Sequence, residues 1–198
     1  PGLPKISDGQ QLFMLNGIAK MADDGRMAII QNGSPLFSGD AGSGPSEIRR
    51  YILENDWLEA IVQLSNDQFM NTGIATYVWV LNKNKQVYKQ GKVQLIDASH
   101  CFEPRRKSIG NKRNDITDKC RNIIVTAFGE FKDDKIYGDE NGIYCESKIF
   151  STFDFGYQKI VVEQPQKDET GQTILKKGKP VPDTNLRDTE NVPLNEDI

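Results

Sequence analysis

The sequence predicts an α/β fold. Three observations carry that prediction. Apolar residues recur at helical spacing near the N-terminus. Four short apolar runs have strand length. A second amphipathic stretch lies between the first two of those runs. The resulting order, helix–strand–helix–strand–strand–strand, is that of a sheet covered by helices.

The first helix begins at a capping box, Ser7 with Gln10. Leu12, Leu15, Ile18, Ala19 and Ala22 follow as its apolar stripe, and Gly25 is placed to stop it. RMAIIQN then reads as a short buried strand. The glycine-rich stretch LFSGDAGSGPSEIRR comes next and runs into the second helix. There Ile48, Tyr51 and Ile52 form the apolar stripe, with Glu47, Arg49, Arg50 and Glu54 facing out. WLEAIVQLS (57–65) and TYVWVLNK (76–83) read as strands, and KVQLIDAS (92–99) as another. The first two are joined by the polar segment NDQFMNTGIA, which predicts an antiparallel pair at one edge of the sheet.

Beyond residue 100 the character changes. Residues 101–115 are polar and basic. Residues 116–131 suit a helix, with Cys120, Ile123, Ile124, Ala127 and Phe128 on one face. Phe150, Phe153, Phe155 and Tyr157 precede a strand, KIVVEQ. The tail from Gln166 is rich in Asp, Glu, Lys, Pro and Gly, with one hairpin expected around residues 169–171. Such a tail buries little surface alone, so it is expected to drape on a neighbour or to move. The predicted organisation is 1–100, 101–148 and 149–198. No strand precedes the first helix, and an α/β pattern that opens midway predicts a fragment whose first half lies elsewhere.

Composition narrows the function. The chain has 198 residues, is 37% hydrophobic and 27% charged, and carries a net charge of -3. That balance suits a globular protein and speaks mildly against a stand-alone nucleic-acid binder. No apolar run approaches the ~18 residues of a membrane span, so no membrane partner is expected. Three widely spaced cysteines, Cys101, Cys120 and Cys145, argue against a disulfide framework and C-x-x-C metal chemistry. His100 is the only histidine, which removes a His-rich metal site. No metal is expected, and the compartment is read as reduced and cytoplasmic.

Three stretches could carry chemistry. Gly39 and Gly44 have the spacing of a phosphate-cradling loop, G-x-x-x-x-G-K-[ST]. Pro45 stands where that loop needs its lysine, and it removes a backbone N–H. The glycines fit turn chemistry better. Ser43 or Gly44 can cap the helix, Pro45 suits its first turn, and Glu47 favours its positive end. In QFMNTGIATYVWVL, Phe69 sits in a polar connection directly before Asn71, Thr72 and Gly73. That is either a hairpin loop with a tucked aromatic or a pocket wall that stacks a flat ligand such as an extruded base. Arg105, Arg106, Lys107, Lys112 and Arg113 cluster in PRRKSIGNKRND. They read either as a solvated loop or as a contact to a phosphate backbone or another subunit.

Several long blocks, in order, resemble the modification subunit of type I restriction–modification systems. They are SDGQQLF, GRMAIIQNGSPLFSGDAGSGPSEIRRYILENDWLEAIVQLSNDQFMNTGIATYVWVL, GKVQLIDAS, RKSIGNKR, DFGYQKIVVEQP and LRDTENVPL. That subunit is an N6-adenine DNA methyltransferase using S-adenosylmethionine. The resemblance implies the second half of a Rossmann-like methyltransferase sheet, with a C-terminal helix and β-hairpin extension. It implies a target-base pocket at Phe69, Asn71, Thr72 and Gly73, with Met70 departing from the family's usual aromatic. It implies double-stranded DNA, a specificity subunit, a restriction subunit and a second modification subunit as partners. The family's glycine motif for the cofactor and its N-P-P-[FY] catalytic motif do not occur here. The chain alone is therefore expected to be inactive, to hold no catalytic residue and to bind the cofactor weakly. An assembly module docking the specificity subunit is the alternative.

Overall fold

In the computed structural model, which describes residues 2–4, 6, 8–139 and 142–194, the chain divides into two units, Pro1–Thr152 and Phe153–Ile198. The first unit is built on a six-stranded mixed sheet. Its strands are β1 (Arg26–Asn32), β2 (Leu58–Leu64), β3 (Thr76–Asn82), β4 (Lys92–Ala98), β7 (Lys135–Gly138) and β8 (Tyr144–Ser151). The order across the sheet is β1-β3-β2-β4-β8-β7. β3 runs antiparallel to both its neighbours, and β2 and β4 are parallel. The mixed α/β architecture agrees with the sequence-based expectation.

Helix α1 (Gly9–Lys20) is capped by Asp8, whose carboxylate accepts the Gln10 N–H at 3.0 Å. The expected capping residue, Ser7, lies outside the described residues. The buried stripe of α1 is Gln11, Met14 and Ile18, while Leu12 and Phe13 face outward. The stripe is thus rotated from the expected one. Gln11 can be buried because its side-chain amide donates to the Pro45 carbonyl at 3.2 Å.

β1 was expected to be buried. It is instead an edge strand in which exposed and half-buried residues alternate up to the buried Gln31, since β3 is its one partner. A short apolar run reads alike for an edge strand and a central one. The β2–β3 pair is antiparallel as expected, but it lies inside the sheet, because β1 adds to the far side of β3.

Between β1 and β2 come α2 (Ser34–Phe37) and α3 (Gly44–Glu54). Ile48 and Ile52 of α3 are fully buried, and burial on that scale stabilises by about 2 kcal/mol per side chain. Arg49 does not face out. Its guanidinium donates to the Pro35 carbonyl at 3.2 Å and the Ser38 carbonyl at 2.7 Å.

Helix α4 (Asp118–Glu130) starts at Thr117, whose hydroxyl caps the Cys120 N–H. It packs on β4, β7 and β8. Its buried Cys120 and Ala127 meet Val62, Leu64, Ile96, Ala98, Cys101, Tyr137 and Cys145 in one core. Between β4 and α4 a hairpin of β5 (Glu103–Ile109) and β6 (Lys112–Asp115) replaces the expected loop.

In the second unit β9 (Tyr157–Val162) pairs antiparallel with β12 (Asp188–Pro193) over six residue pairs. The expected hairpin near 169–171 forms, with Lys167 paired to Thr173 across it. A second short one joins β10 (Leu175–Lys176) to β11 (Lys179–Pro180).

Candidate functional site

β1 and β2 both run antiparallel to β3, and β4 runs parallel to β2. The C-terminal ends of β1, β2 and β4 therefore share one end of the sheet. In open α/β sheets that end is where ligands bind. Three connections meet this end: the glycine stretch after β1, the loop after β2 and the hairpin after β4.

The loop after β2, residues 65–75, folds back on itself. The Asp67 N–H donates to the Gly73 carbonyl at 3.4 Å, and Phe69 pairs with Thr72 as an isolated bridge. Asp67 holds a left-handed backbone, φ 58. A Cβ on Gly73 would meet the Asp67 carboxylate at 2.7 Å, so a larger residue would displace that side chain. The Thr72 hydroxyl accepts the Ile74 N–H at 3.4 Å. Phe69, Asn71, Thr72 and Gly73 thus share one tight turn. Phe69 and Thr72 are half-buried, Asn71 and Gly73 are exposed, and Met70 is 62% exposed at the tip.

The basic residues lie on the β5–β6 hairpin. They differ in kind. The Arg105 guanidinium makes two bonds to the Asp115 carboxylate, at 2.8 and 2.7 Å. Lys112 reaches the same carboxylate at 3.1 Å. The Arg105 bonds hold the Asp115 carboxyl below its usual range, with Lys112 adding to them. Arg106, Lys107 and Arg113 are exposed and form no ion pair among the described residues. They are the cations left to meet an anion.

Hairpin and loop are joined. The Asn111 N–H donates to the Met70 carbonyl at 2.9 Å, and the Arg113 N–H to the Asp67 carbonyl at 2.9 Å. The Asn114 N–H reaches the same Asp67 carbonyl at 3.2 Å. The Asn114 side chain donates to the Asn66 carbonyl at 2.9 Å. The two groups of residues singled out in the sequence therefore form one surface. Gly110, Asn111, Asn114 and Asp67, which connect them, are new. The one hint was the Gly110–Asn111 dipeptide, a two-residue hairpin signal. It is hidden because its flanks are charged rather than alternating.

The glycine stretch offers no cradle. Gly39 and Gly42 take φ of 85 and 77, as turns require. A Cβ on Gly44 would lie 1.7 Å from the Leu3 carbonyl oxygen, so the chain's own backbone fills the hollow there. These residues do not fit a phosphate or a nucleoside cofactor.

A buried ionic network lies at the other end of β2. The Lys89 ammonium meets the Glu59 carboxylate at 2.8 Å, and both side chains are under 10% exposed. The Asn82 amide donates to the second Glu59 oxygen at 2.8 Å. The Phe128 and Phe131 rings stand 4.6 and 4.9 Å from the ammonium. Burial alone would raise the Glu59 carboxyl, but the bonds from Lys89 and Asn82 outweigh it and hold it low. Every group in the network is satisfied internally, so it is an anchor between β2, β3 and α4.

The sequence profile of the N-6 DNA Methylase family matches residues 2–149. The chain belongs to the N-6 DNA methylase family. It is 28% identical over 130 residues to the type I restriction enzyme MjaIX methylase subunit of Methanocaldococcus jannaschii, covering 66% of this chain and 22% of that one. It is 25% identical over 164 residues to the type I restriction enzyme MpnII methylase subunit of Mycoplasma pneumoniae, covering 82% and 28%. Among solved structures it is similar to the type I restriction–modification system methyltransferase subunit from Streptococcus thermophilus. That match has a TM-score of 0.61 at 27% identity, covering 76% of this chain and 28% of that one. The EcoKI M protein shares the fold, with a TM-score of 0.54 at 19% identity over 73% and 34%. The methylase chain thus spans about a quarter of the length of the curated relatives described. The sequence-based family assignment holds.

Proposed function

We propose that this chain forms the base-side part of a type I N6-adenine DNA methyltransferase. Its sheet is the second half of a Rossmann-like methyltransferase domain. The observation that carries this is the closed 65–75 loop at the C-terminal end of β2, with an aromatic ring and a polar Asn71–Thr72–Gly73 turn beside a cationic hairpin. A base extruded from a duplex needs a ring to stack on and polar atoms at its edge. The strand it leaves needs cations along its phosphates. Phe69 supplies the ring, the 71–73 turn lines the edge, and Arg106, Lys107 and Arg113 face the backbone. S-adenosylmethionine is the methyl donor of this reaction class. The glycine stretch, filled by the Leu3 backbone, does not fit it, and the family's cofactor and N-P-P-[FY] motifs do not occur in this sequence, so both roles are assigned to other residues of the subunit. The proposed partners are duplex DNA, a specificity subunit, a restriction subunit and a second modification subunit, in a reduced cytoplasmic compartment.

The test is Phe69→Ala in the assembled methylase complex carrying this chain. Loss of one base–aromatic stack predicts a fall in methylation of about tenfold to a hundredfold with assembly intact. Methylation at the wild-type rate contradicts the reading.

A second reading has its own support. All six residues of β9 are exposed, including Ile160, Val161 and Val162. A two-stranded ribbon with bare apolar side chains is marginal in water and is stabilised by packing. That favours docking of residues 153–194 on a specificity subunit. Deleting residues 166–198 removes β12, and undiminished co-purification of the two subunits would dismiss the docking role.

A further inference from the structure

We propose that the β5–β6 hairpin is a positioning device for the 65–75 loop, so that contact of the hairpin with a DNA backbone sets the geometry of the base-binding turn. Gly110, Asn111 and Asn114 are its positioning residues. The inference rests on the proposed base-binding role of that loop.

The loop is weakly held from within. One long backbone bond, Asp67 to Gly73, and one isolated bridge close it. Among the described residues its side chains add only the Gln68 amide to the Ser65 hydroxyl, that hydroxyl to the Asn66 carbonyl, and the Ile74 N–H to the Thr72 hydroxyl. Its tip contributes little burial, since Met70, Asn71 and Gly73 are all exposed. Such segments open readily unless something outside them adds bonds. Here the hairpin adds four. It takes the Asn66 carbonyl, the Asp67 carbonyl twice and the Met70 carbonyl, so three carbonyls of the loop are fixed by β6 and its turn.

The fit at the turn is close. Gly110 has φ +59, and a Cβ there would lie 2.4 Å from the Met70 carbonyl oxygen. Only glycine lets the turn approach the loop this nearly. The next N–H, of Asn111, makes the bond to that same oxygen.

The unpaired cations sit on the same ribbon, whose pairing is irregular between Pro104 and Ile109. Arg113 uses its N–H to hold Asp67 while its guanidinium is exposed. Arg106 and Lys107 lie on the facing strand. Three like charges without counter-ions repel one another, and a phosphate backbone relieves that. A ribbon ordered by phosphates holds its carbonyl partners more firmly. Sequence-independent backbone contact is thereby converted into an ordered pocket wall.

Hydrogen exchange of the full chain, with and without a duplex oligonucleotide of arbitrary sequence, tests this. In the wild type, DNA is expected to slow exchange about tenfold in both the hairpin and the loop. The triple charge reversal Arg106→Glu, Lys107→Glu, Arg113→Glu is expected to remove both effects. Asn114→Leu, which removes one of the four bonds, is expected to keep hairpin protection and weaken loop protection, while Gly110→Val, which strains the turn and drives it off Met70, is expected to abolish loop protection. Thermal melting checks that each variant folds, and Asn114→Leu carries the test if Gly110→Val does not. Loop protection that survives Asn114→Leu undiminished overturns the proposal. So does hairpin protection without loop protection in the wild type, or no DNA-dependent protection at all. The base-pocket reading fails separately, in the Phe69→Ala methylation assay.

Discussion

Glu59 is one carboxylate in an apolar strand, and its partner Lys89 lies thirty residues further on. Nothing local in LEAIVQL announces that pair, because ion pairing across elements has no sequence period. Its energetics are nonetheless sharp. Lys89→Ala leaves a buried carboxylate without its cation and is expected to cost about 3–5 kcal/mol in urea unfolding. Arg50→Ala removes exposed pairs to Glu47 and Glu54 and is expected to cost no more than ~1 kcal/mol. The pH dependence has a definite sign. The folded Glu59 carboxyl is held below its ordinary value of 4.5, so its contribution is complete above that pH. It is lost as pH falls through the lower folded value. Melting temperature against pH should drop less steeply on the acid side in Glu59→Gln. The cysteines behave differently. Burial pushes the Cys101 thiol up to about 12 and the Cys145 thiol up to about 11. Both are expected to resist iodoacetamide at pH 8 in the folded chain and to react once urea unfolds it, because the thiolate is the nucleophile.

At the scale of elements, patterns that a single neighbour can satisfy were legible. Helix α4 was legible because its stripe of Cys120, Ile123, Ala127 and Phe128 meets one core. The β2–β3 pairing was legible because a short polar segment joins two apolar runs. What failed was relative placement. The β1 run carries no mark of being an edge, and α1 buries Gln11 because Pro45, far along the chain, offers a carbonyl. The β5–β6 hairpin was missed because neither of its strands buries an apolar face, so no alternation marks it. The glycine stretch divides at this scale too. Gly42 has open space but a φ of +77, so Gly42→Ala is expected to cost about 1–2 kcal/mol from backbone strain alone. Gly44→Ala must displace the Leu3 backbone, and its expected cost is larger, about 3 kcal/mol. Thermal melting separates them. Equal effects would mean that the stretch is a plain turn.

At the scale of the whole molecule, the sheet gathers its loops at one end, and the candidate site follows from that. The sequence singled out Phe69, Asn71, Thr72 and Gly73 and, separately, the basic residues from Arg105 to Arg113. That the two groups share a surface depends on the parallel pairing of β2 with β4, which no local pattern encodes. The set of hairpin cations without an acidic partner among the described residues is also smaller than composition suggests, since Asp115 already occupies Arg105 and Lys112. In the assembled complex, reversing Arg106, Lys107 and Arg113 is therefore expected to lower the salt dependence of DNA binding by about 2–3 in log–log slope, whereas Arg105→Ala lowers it little. The central claim is that these residues serve adenine N6 methylation. The most direct measurement is to supply the assembled complex with isotope-labelled S-adenosylmethionine and duplex DNA, then digest the DNA and identify the labelled nucleoside by mass spectrometry. Label in N6-methyladenine is the predicted result. Label in cytosine, or none with an intact complex, would contradict the account.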